Sequence, residues 1–462
     1  MALIKSISGI RGTIGGVPDE NLTPIDAVKF AAAYGFWLKN HVHKTRIKVV
    51  VGRDARLSGE MVQNLVQYTL IGLGIDVVDL GLSTTPTVEV AVTMEQADGG
   101  IILTASHNPK QWNALKLLNN QGEFLNAQEG EEILRIAADN SAVFAEVDAL
   151  GTLSHNDTYI QRHIDAALSL LPLATIEAIR QRHFRVVVDA VNSTGGIAIP
   201  QLLERLGAEV LPLYCEPNGH FPHNPEPLKE HLGDICAEVV AKEADFGIVV
   251  DPDVDRLAFI TEKGEMFGEE YTLVACADYI LSKNKGNVVS NLSSSRALRD
   301  IAQKHGVQYA ASAVGEVNVV AKMKEVNAII GGEGNGGIIF PELHYGRDAL
   351  VGVALFLSLL TDKNISVSAL RKSYPAYYMS KNKIELSAGL NPDKVLAAVK
   401  ERYAHEPITT IDGVKIDFPN SWVHLRKSNT EPIIRIYTEA KSQVEADALA
   451  QRFLEEIKEL AN

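Results

Sequence analysis

The sequence predicts an α/β protein: three similar α/β domains with mixed, largely parallel sheets, followed by a C-terminal α+β domain. Three observations carry that prediction. Strand-like apolar runs alternate with helical patterns from Ile47 onward, as βαβ units require. The unit then recurs twice. Phe184 to Asp189 leads through Gly195-Gly196 to a helix and the strand Glu209 to Leu213, and Asn287 to Leu292 leads through Ser293-Ser294-Ser295 to a helix and the strand Val307 to Ala311. Beyond about residue 372 the alternation gives way to neighbouring strand-like runs and a closing helix.

The elements follow in order. Thr23 as cap, Pro24 in the first turn and Asp26 after it signal an N-terminal helix. Ile47 to Val51 is a strand, the stretch near Met61 to Leu73 a helix, and Asp76 to Leu80 the next strand. Each strand of this kind runs out into small or polar residues, where α/β proteins place their ligand loops. In the last domain, Thr409 to Asp417, Trp422 to Leu425 and Ile433 to Thr438 read as strands. The helix after them has the apolar stripe Leu449, Phe453, Ile457 and Leu460.

A chain of 462 residues with 46% apolar content can bury large cores, and its length fits about three or four domains. A net charge of −14 argues against nucleic acid or an anionic membrane as partner, so a phosphorylated ligand must meet locally concentrated positive charge. Cys215, Cys236 and Cys276 form no CxxC pair and are odd in number, which indicates neither a disulfide framework nor a zinc site. With no long apolar run and no signal-peptide core at Met1 to Ser6, the cytosol is the expected compartment.

The most informative segment is Asp251-Pro252-Asp253-Val254-Asp255, directly after the apolar run Phe246 to Val250. On an extended segment these alternate carboxylates share a face, and such anions repel unless protonated or neutralised. A hard divalent cation answers that, and Mg²⁺, which shares its shell readily with phosphate, suits the oxygen donors best. Arg256 follows at once and can hold an anion beside the cation. An EF-hand loop is matched in part by Asp251, Asp253, Asp255 and Glu262, but Arg256 stands where its sharp turn needs glycine.

A second loop, Thr104-Ala105-Ser106-His107-Asn108-Pro109, follows the apolar strand Gly99 to Leu103. Pro109 keeps Asn108 out of helix, so the turn stays open. By itself Ser106 reads as an acyl nucleophile, a phosphate carrier or a plain turn residue, with the turn residue the default. The loop is not the Gly-x-Ser-x-Gly elbow of an acyl-transfer site. A phosphorylated Ser106 would gain about −1.5 to −2 charge and become a good ligand for Mg²⁺, joining the two loops in one site.

Taken together, these segments resemble the α-D-phosphohexomutase superfamily, whose members include phosphoglucomutase, phosphomannomutase and phosphoglucosamine mutase. The motifs run nearly end to end: Ser8-Gly9-Ile10-Arg11-Gly12, Gly52-Arg53-Asp54-Ala55-Arg56, the serine loop, the aspartate loop, Gly332-Glu333-Gly334-Asn335-Gly336-Gly337, and Arg426-Lys427-Ser428-Asn429-Thr430-Glu431-Pro432. The resemblance implies a heart-shaped architecture of four domains, each lending one loop to a central site. We expect domain I at 1–153 with the phosphoserine loop, II at 154–257 with the metal loop, III at 258–371 with the sugar-recognition loop, and IV at 372–462 with the phosphate-binding loop.

The resemblance also implies roles. Ser106 is the phosphoserine, and with Asp251, Asp253 and Asp255 it holds one Mg²⁺ per chain. Arg11, Lys116 and Arg256 supply positive charge, and Lys116 stands where the family has a lysine suspected of acid–base work, its pKa expected to be depressed by the cation and Arg256. His107 either orients the phosphoserine or satisfies the turn. Glu333 and Asn335 read the sugar hydroxyls, while Arg426, Ser428, Asn429 and Thr430 hold the phosphate that is not reacting. The expected activity is an intramolecular phosphotransferase acting on a small hexose or hexosamine phosphate through a sugar 1,6-bisphosphate, with the oligomeric state left open by the sequence.

Two departures bear on the substrate. Pro252 and Val254 replace the glycines usual between the aspartates, and Asn335 and Gly337 replace the Ser and His of the Gly-Glu-x-Ser-Gly-His sugar loop, so a histidine contact is expected to be absent. Glu316 stands where some relatives carry histidine, which favours an amine-bearing sugar electrostatically. The expected substrate is therefore glucosamine phosphate, with glucose or mannose phosphate as the alternative.

Overall fold

The computed structural model describes residues 3–6, 9–385, 391–427 and 433–460. The chain divides into two compact units, one made of residues up to Tyr279 together with Asn335–Ala369, the other of Ile280–Gly334 and the chain from Leu370 on.

The first unit contains two sheets. One has seven strands in the order Leu3–Ser6, Gly9–Thr13, Trp112–Leu118, Gly99–Leu103, Ile47–Arg53, Ile75–Leu82, Leu153–His155. Its last four strands are mutually parallel, and the first four pair antiparallel. The strand Gly99–Leu103 is buried throughout, which explains its unbroken apolar sequence. The helix Pro24–His41 begins as expected: Thr23 and Asp26 form a reciprocal capping box, with Pro24 in the first turn. It packs with the helices Gly59–Gly72 and Ala127–Asp139 around a core that includes Phe30, Trp37, Val49, Leu70 and Ile101.

The second sheet runs Leu257–Thr261, Phe246–Val250, Arg185–Asp189, Glu209–Leu213, with the first pair antiparallel and the others parallel. Because Leu257–Thr261 belongs to this sheet, the expected domain edge at 257/258 falls at the start of a strand. The buried helix Ala349–Lys363 belongs to this unit as well, and Phe356 stacks on Phe259 with ring centroids 3.6 Å apart. The stretch expected to form domain III is thus shared between the two compact units.

The second unit holds the parallel strands Tyr309–Ser312, Asn287–Asn291 and Ala328–Glu333, and an antiparallel sheet in the order Tyr378–Glu385, Ile433–Ala440, Trp422–Lys427, Val414–Asp417, Ile408–Thr409. This antiparallel sheet with the helices Pro392–Arg402 and Gln443–Leu460 is the C-terminal α+β domain. Phe453 and Ile457 of the expected stripe enter its core, and Leu449 and Leu460 pack against it. The run Thr409 to Asp417, expected to be one strand, is broken into two that pair as a hairpin. Gly413 at φ +69° supplies a turn conformation that an L residue adopts at a cost. Among the described residues no helix is long and apolar enough to cross a membrane.

Candidate active site

The serine loop is the turn between two antiparallel strands, Gly99–Leu103 and Trp112–Leu118. Its buried hydrogen bonds set it firmly. Ser106 N donates to Thr104 Oγ1 (2.9 Å), and Thr104 Oγ1 donates to Asp54 Oδ2 (2.6 Å). Arg56, wholly buried and ion-paired with Asp54 (3.0 Å), fans its guanidinium onto four loop carbonyls. They belong to Ser106, Asn108 (2.7 Å), Pro109 (2.8 Å) and Trp112 (3.0 Å). Ser106 is held at φ +48°, a strained conformation that persists only when its surroundings enforce it.

The aspartate loop departs from the extended segment expected. It is a tight turn between the antiparallel strands Phe246–Val250 and Leu257–Thr261, with Val254 N donating to Asp251 O (3.1 Å). The carboxylates converge because the chain reverses on itself, and not because alternate side chains share a strand face. Val254 sits at φ +64°, a region that a β-branched residue enters only under constraint, and its side chain is fully buried. Its replacement of a glycine therefore adds strain where the sequence suggested only stiffness.

Tertiary structure brings the two loops together. Ser106 Oγ donates to Asp251 Oδ2 (2.8 Å), and ligand-type oxygens of Asp251, Asp253 and Asp255 lie within 4.8 Å of one another. Each carboxylate is fully buried and anchored. Asp251 Oδ1 accepts from the backbone N–H groups of Asp255 (3.2 Å) and Arg256 (3.1 Å). Asp253 Oδ2 accepts from Thr85 Oγ1 (2.6 Å) and Lys116 Nζ (2.7 Å), and Asp255 Oδ2 from Arg347 Nη2 (2.7 Å). The other oxygens, Asp253 Oδ1 and Asp255 Oδ1, are buried with no hydrogen-bond partner among the described residues. Unpartnered buried carboxylate oxygens are costly, so this arrangement fits a hard cation with oxygen ligands. Glu262 is elsewhere, accepting from Ser368 (3.0 Å), which removes the EF-hand reading.

The electrostatics agree. Burial, and then repulsion from Asp253 and Asp255, holds Asp251 well above the usual carboxylate range. In the metal-free triad burial pulls the Lys116 pKa down, but Asp253 and Asp255 outweigh that and leave it raised, so it is an ammonium group there. His107 Nδ1 lies 3.3 Å from Ser106 Oγ, and burial followed by the guanidiniums of Arg256 and Arg11 pushes its pKa well down, so the ring is neutral.

Arg11 Nη1 donates to Asn108 Oδ1 (3.1 Å) in the serine loop. Arg256 pairs with Glu226 (3.0 Å), while its buried Nε has no hydrogen-bond partner among the described residues. Asn335, in the same unit, accepts from Gly337 N (3.2 Å). The other expected substrate residues belong to the second unit. There Glu333 accepts from Asn291 (2.8 Å) and from Gly315 N (3.1 Å), and Arg426 pairs with Asp412 (3.1 Å), which also accepts from Val314 N (3.0 Å). Ser428, Asn429 and Thr430 lie outside the described residues.

Three residues escaped the sequence reading. Arg56 stood inside a recognised motif but carried no role, and Thr85 and Arg347 had no signal at all. Thr85 and Arg347 are far along the chain from Asp253 and Asp255, and the carbonyls that Arg56 holds are likewise distant from it in sequence.

A hydroxyl held against a buried acidic triad whose oxygens suit a hard cation, with an ammonium and guanidinium groups beside it, has the parts of a centre for phosphoryl transfer. Comparison with known proteins narrows this class. Four domain families of phosphoglucomutase/phosphomannomutase match in order: α/β/α domain I at 4–143, domain II at 161–264, domain III at 268–378 and the C-terminal domain at 385–456. The chain therefore belongs to the phosphoglucomutase/phosphomannomutase family of phosphohexomutases, which are isomerases. It is 37% identical over 441 residues to a phosphoglucomutase/phosphomannomutase of Thermococcus kodakarensis, covering 94% of this chain and 95% of that one. It is 31% identical over 457 residues to a phosphoglucosamine/phosphogalactosamine mutase of Sulfurisphaera tokodaii, covering 97% and 98%. A crystal structure of a phosphoglucomutase/phosphomannomutase family protein from Burkholderia thailandensis superposes with a TM-score of 0.85 at 26% identity, covering 100% and 99%.

Proposed function

We propose that the protein is a phosphoglucosamine mutase, interconverting glucosamine 6-phosphate and glucosamine 1-phosphate. The observation that carries the reading is the hydrogen bond of Ser106 Oγ to Asp251 Oδ2 (2.8 Å) beside two unpartnered aspartate oxygens.

In the forward direction the C1 hydroxyl of glucosamine 6-phosphate attacks the phosphoryl group on Ser106. The P–O bond to Oγ breaks, the C1 hydroxyl proton ends on Oγ, and a glucosamine 1,6-bisphosphate forms. The bisphosphate reorients within the site, Ser106 Oγ takes the 6-phosphoryl group while its proton passes to the O6 left behind, and glucosamine 1-phosphate departs. Asp251, Asp253 and Asp255, together with the phosphoryl group on Ser106, would hold one Mg²⁺ per chain, which would neutralise charge on the transferring phosphoryl group. Lys116 and Arg256 offset the charge that spreads over the equatorial oxygens, and Arg11 steadies the loop through Asn108. Neutral His107 orients Oγ. By family resemblance, Glu333 and Asn335 read the sugar hydroxyls, and Arg426 with Ser428, Asn429 and Thr430 holds the far phosphate.

The glucosamine assignment draws on the Sulfurisphaera relative and on Glu316, which suits an amine-bearing sugar. A second reading, glucose or mannose phosphate as substrate, is favoured by the higher identity to the Thermococcus protein. Specificity constants for glucosamine, glucose and mannose 6-phosphates, measured with Mg²⁺ and a trace of the matching bisphosphate, separate the two. A lower value for glucosamine than for either competitor overturns the glucosamine assignment. Full turnover by Ser106→Ala overturns the phosphoserine mechanism altogether.

A further inference from the structure

Gly337 and Arg347 form a matched pair. The strand Gly337–Ile339 is crossed by the chain at Arg347 through an antiparallel bridge from Ile339, and Asp348 N donates to Ile338 O (2.8 Å). The arginine stem lies directly over Gly337. A methyl group added there would collide with Arg347 Cδ and approach Cγ to 3.0 Å, so any side chain at 337 would displace the arginine. From this seat Arg347, a buried residue, reaches Asp255 Oδ2 with its guanidinium Nη2 at 2.7 Å. The following residue fixes its backbone. Asp348 caps the helix Ala349–Lys363 by accepting from Leu350 N (2.8 Å), and it is gripped by His163 (2.9 Å) and His344 (3.2 Å).

Asp255 is the one member of the triad whose anchored oxygen depends on a charged fork. Asp253 Oδ2 has Thr85 and Lys116, and Asp251 has backbone N–H groups, whereas Asp255 Oδ2 has Arg347 at 2.7 Å and Lys116 only at 3.6 Å. Fixing Oδ2 dictates where the unpartnered Oδ1 points.

We propose that Arg347, seated on the side-chain-free Gly337, is a positioning residue that aims the free oxygen of Asp255 into the cation site. The inference rests on the reading of the triad as a Mg²⁺ site. Outer partners of metal ligands commonly govern affinity in this way, with about 10–100-fold losses when they are removed. Here the sign is diagnostic. An arginine that merely balanced charge repels the cation, so its removal would tighten binding, whereas loss of a positioning residue weakens it.

The test is Mg²⁺ titration calorimetry on the full-length protein and its variants. Arg347→Met is expected to weaken Mg²⁺ binding by about 10–100-fold, and Arg347→Lys, which lacks the planar fork, by a smaller factor. Gly337→Ala leaves the arginine in place chemically but unseats it, and is expected to weaken binding in the same direction. Combined with Arg347→Met it should add nothing further, since both act through one contact. Unchanged or tighter Mg²⁺ binding by Arg347→Met, or full additivity of the two substitutions, overturns the inference while leaving the active-site reading intact. Failure of the wild-type protein to bind Mg²⁺ overturns both.

Discussion

Ser106 and Asp251 are 145 residues apart in the chain, yet the serine hydroxyl donates to the aspartate across 2.8 Å in a buried setting. The bond ties the proposed phosphate carrier to the acidic cluster proposed to hold the cation. It also places a hydroxyl against a carboxylate cluster that is costly to keep without a cation.

That cost gives Asp251→Asn a double effect. Asp251 is held well above the ordinary carboxylate range by burial and by its two acidic neighbours, so at pH 7 to 8 the neutral amide relieves repulsion. The metal-free variant is expected to be about 1–3 kcal/mol more stable than wild type, with a higher melting temperature. Its Mg²⁺ affinity and turnover should fall at least tenfold. A lower melting temperature in EDTA would contradict the account of the triad.

Arg56 is expected to be as important to the serine loop as any residue in it. Lysine at 56 keeps the charge but cannot span four carbonyls with one ammonium group. Arg56→Lys should cost about 2–4 kcal/mol, measured by urea unfolding, because buried carbonyls lose their donors. It should also lower kcat by about 10–100-fold through misplacement of Ser106. A stable variant with normal kcat would show that the loop holds its shape without the fork.

Stability should also depend on pH through His344. Burial favours the neutral ring, but the hydrogen bonds and charges of Asp348 and Glu89 outweigh it and raise the pKa to about 10. The unfolded ring titrates near its ordinary value of about 6.5. A raised folded pKa means that this contribution is complete below about pH 6.5 and is lost as pH climbs toward about 10. His344→Gln is expected to cost about 2–4 kcal/mol at pH 6 and little near pH 10, read from melting temperatures across that range. An equal penalty at both pH values would rule out the charged ring.

Much of the fold was legible because it rests on local patterns. The capping box at Thr23, the buried run at Gly99–Leu103 and the stripe through Phe453 and Ile457 each follow from short-range periodicity or chemistry. The run from Thr409 to Asp417 was misread because one glycine-assisted turn interrupts an otherwise strand-like composition. The shape of the aspartate loop was misread for a related reason: Val254 gives no sign in sequence of a left-handed backbone.

By itself the sequence determined the types of group at the site, because a hydroxyl after one strand and three carboxylates after another carry their chemistry wherever they fall. Only the tertiary structure decided which oxygens are anchored and which are free. Thr85, Arg347 and Lys116 come from three separate stretches of chain, and they meet the triad through packing that no spacing in the sequence encodes. It decided the charge of Lys116 as well, since the two aspartates that override its burial are neighbours in space alone.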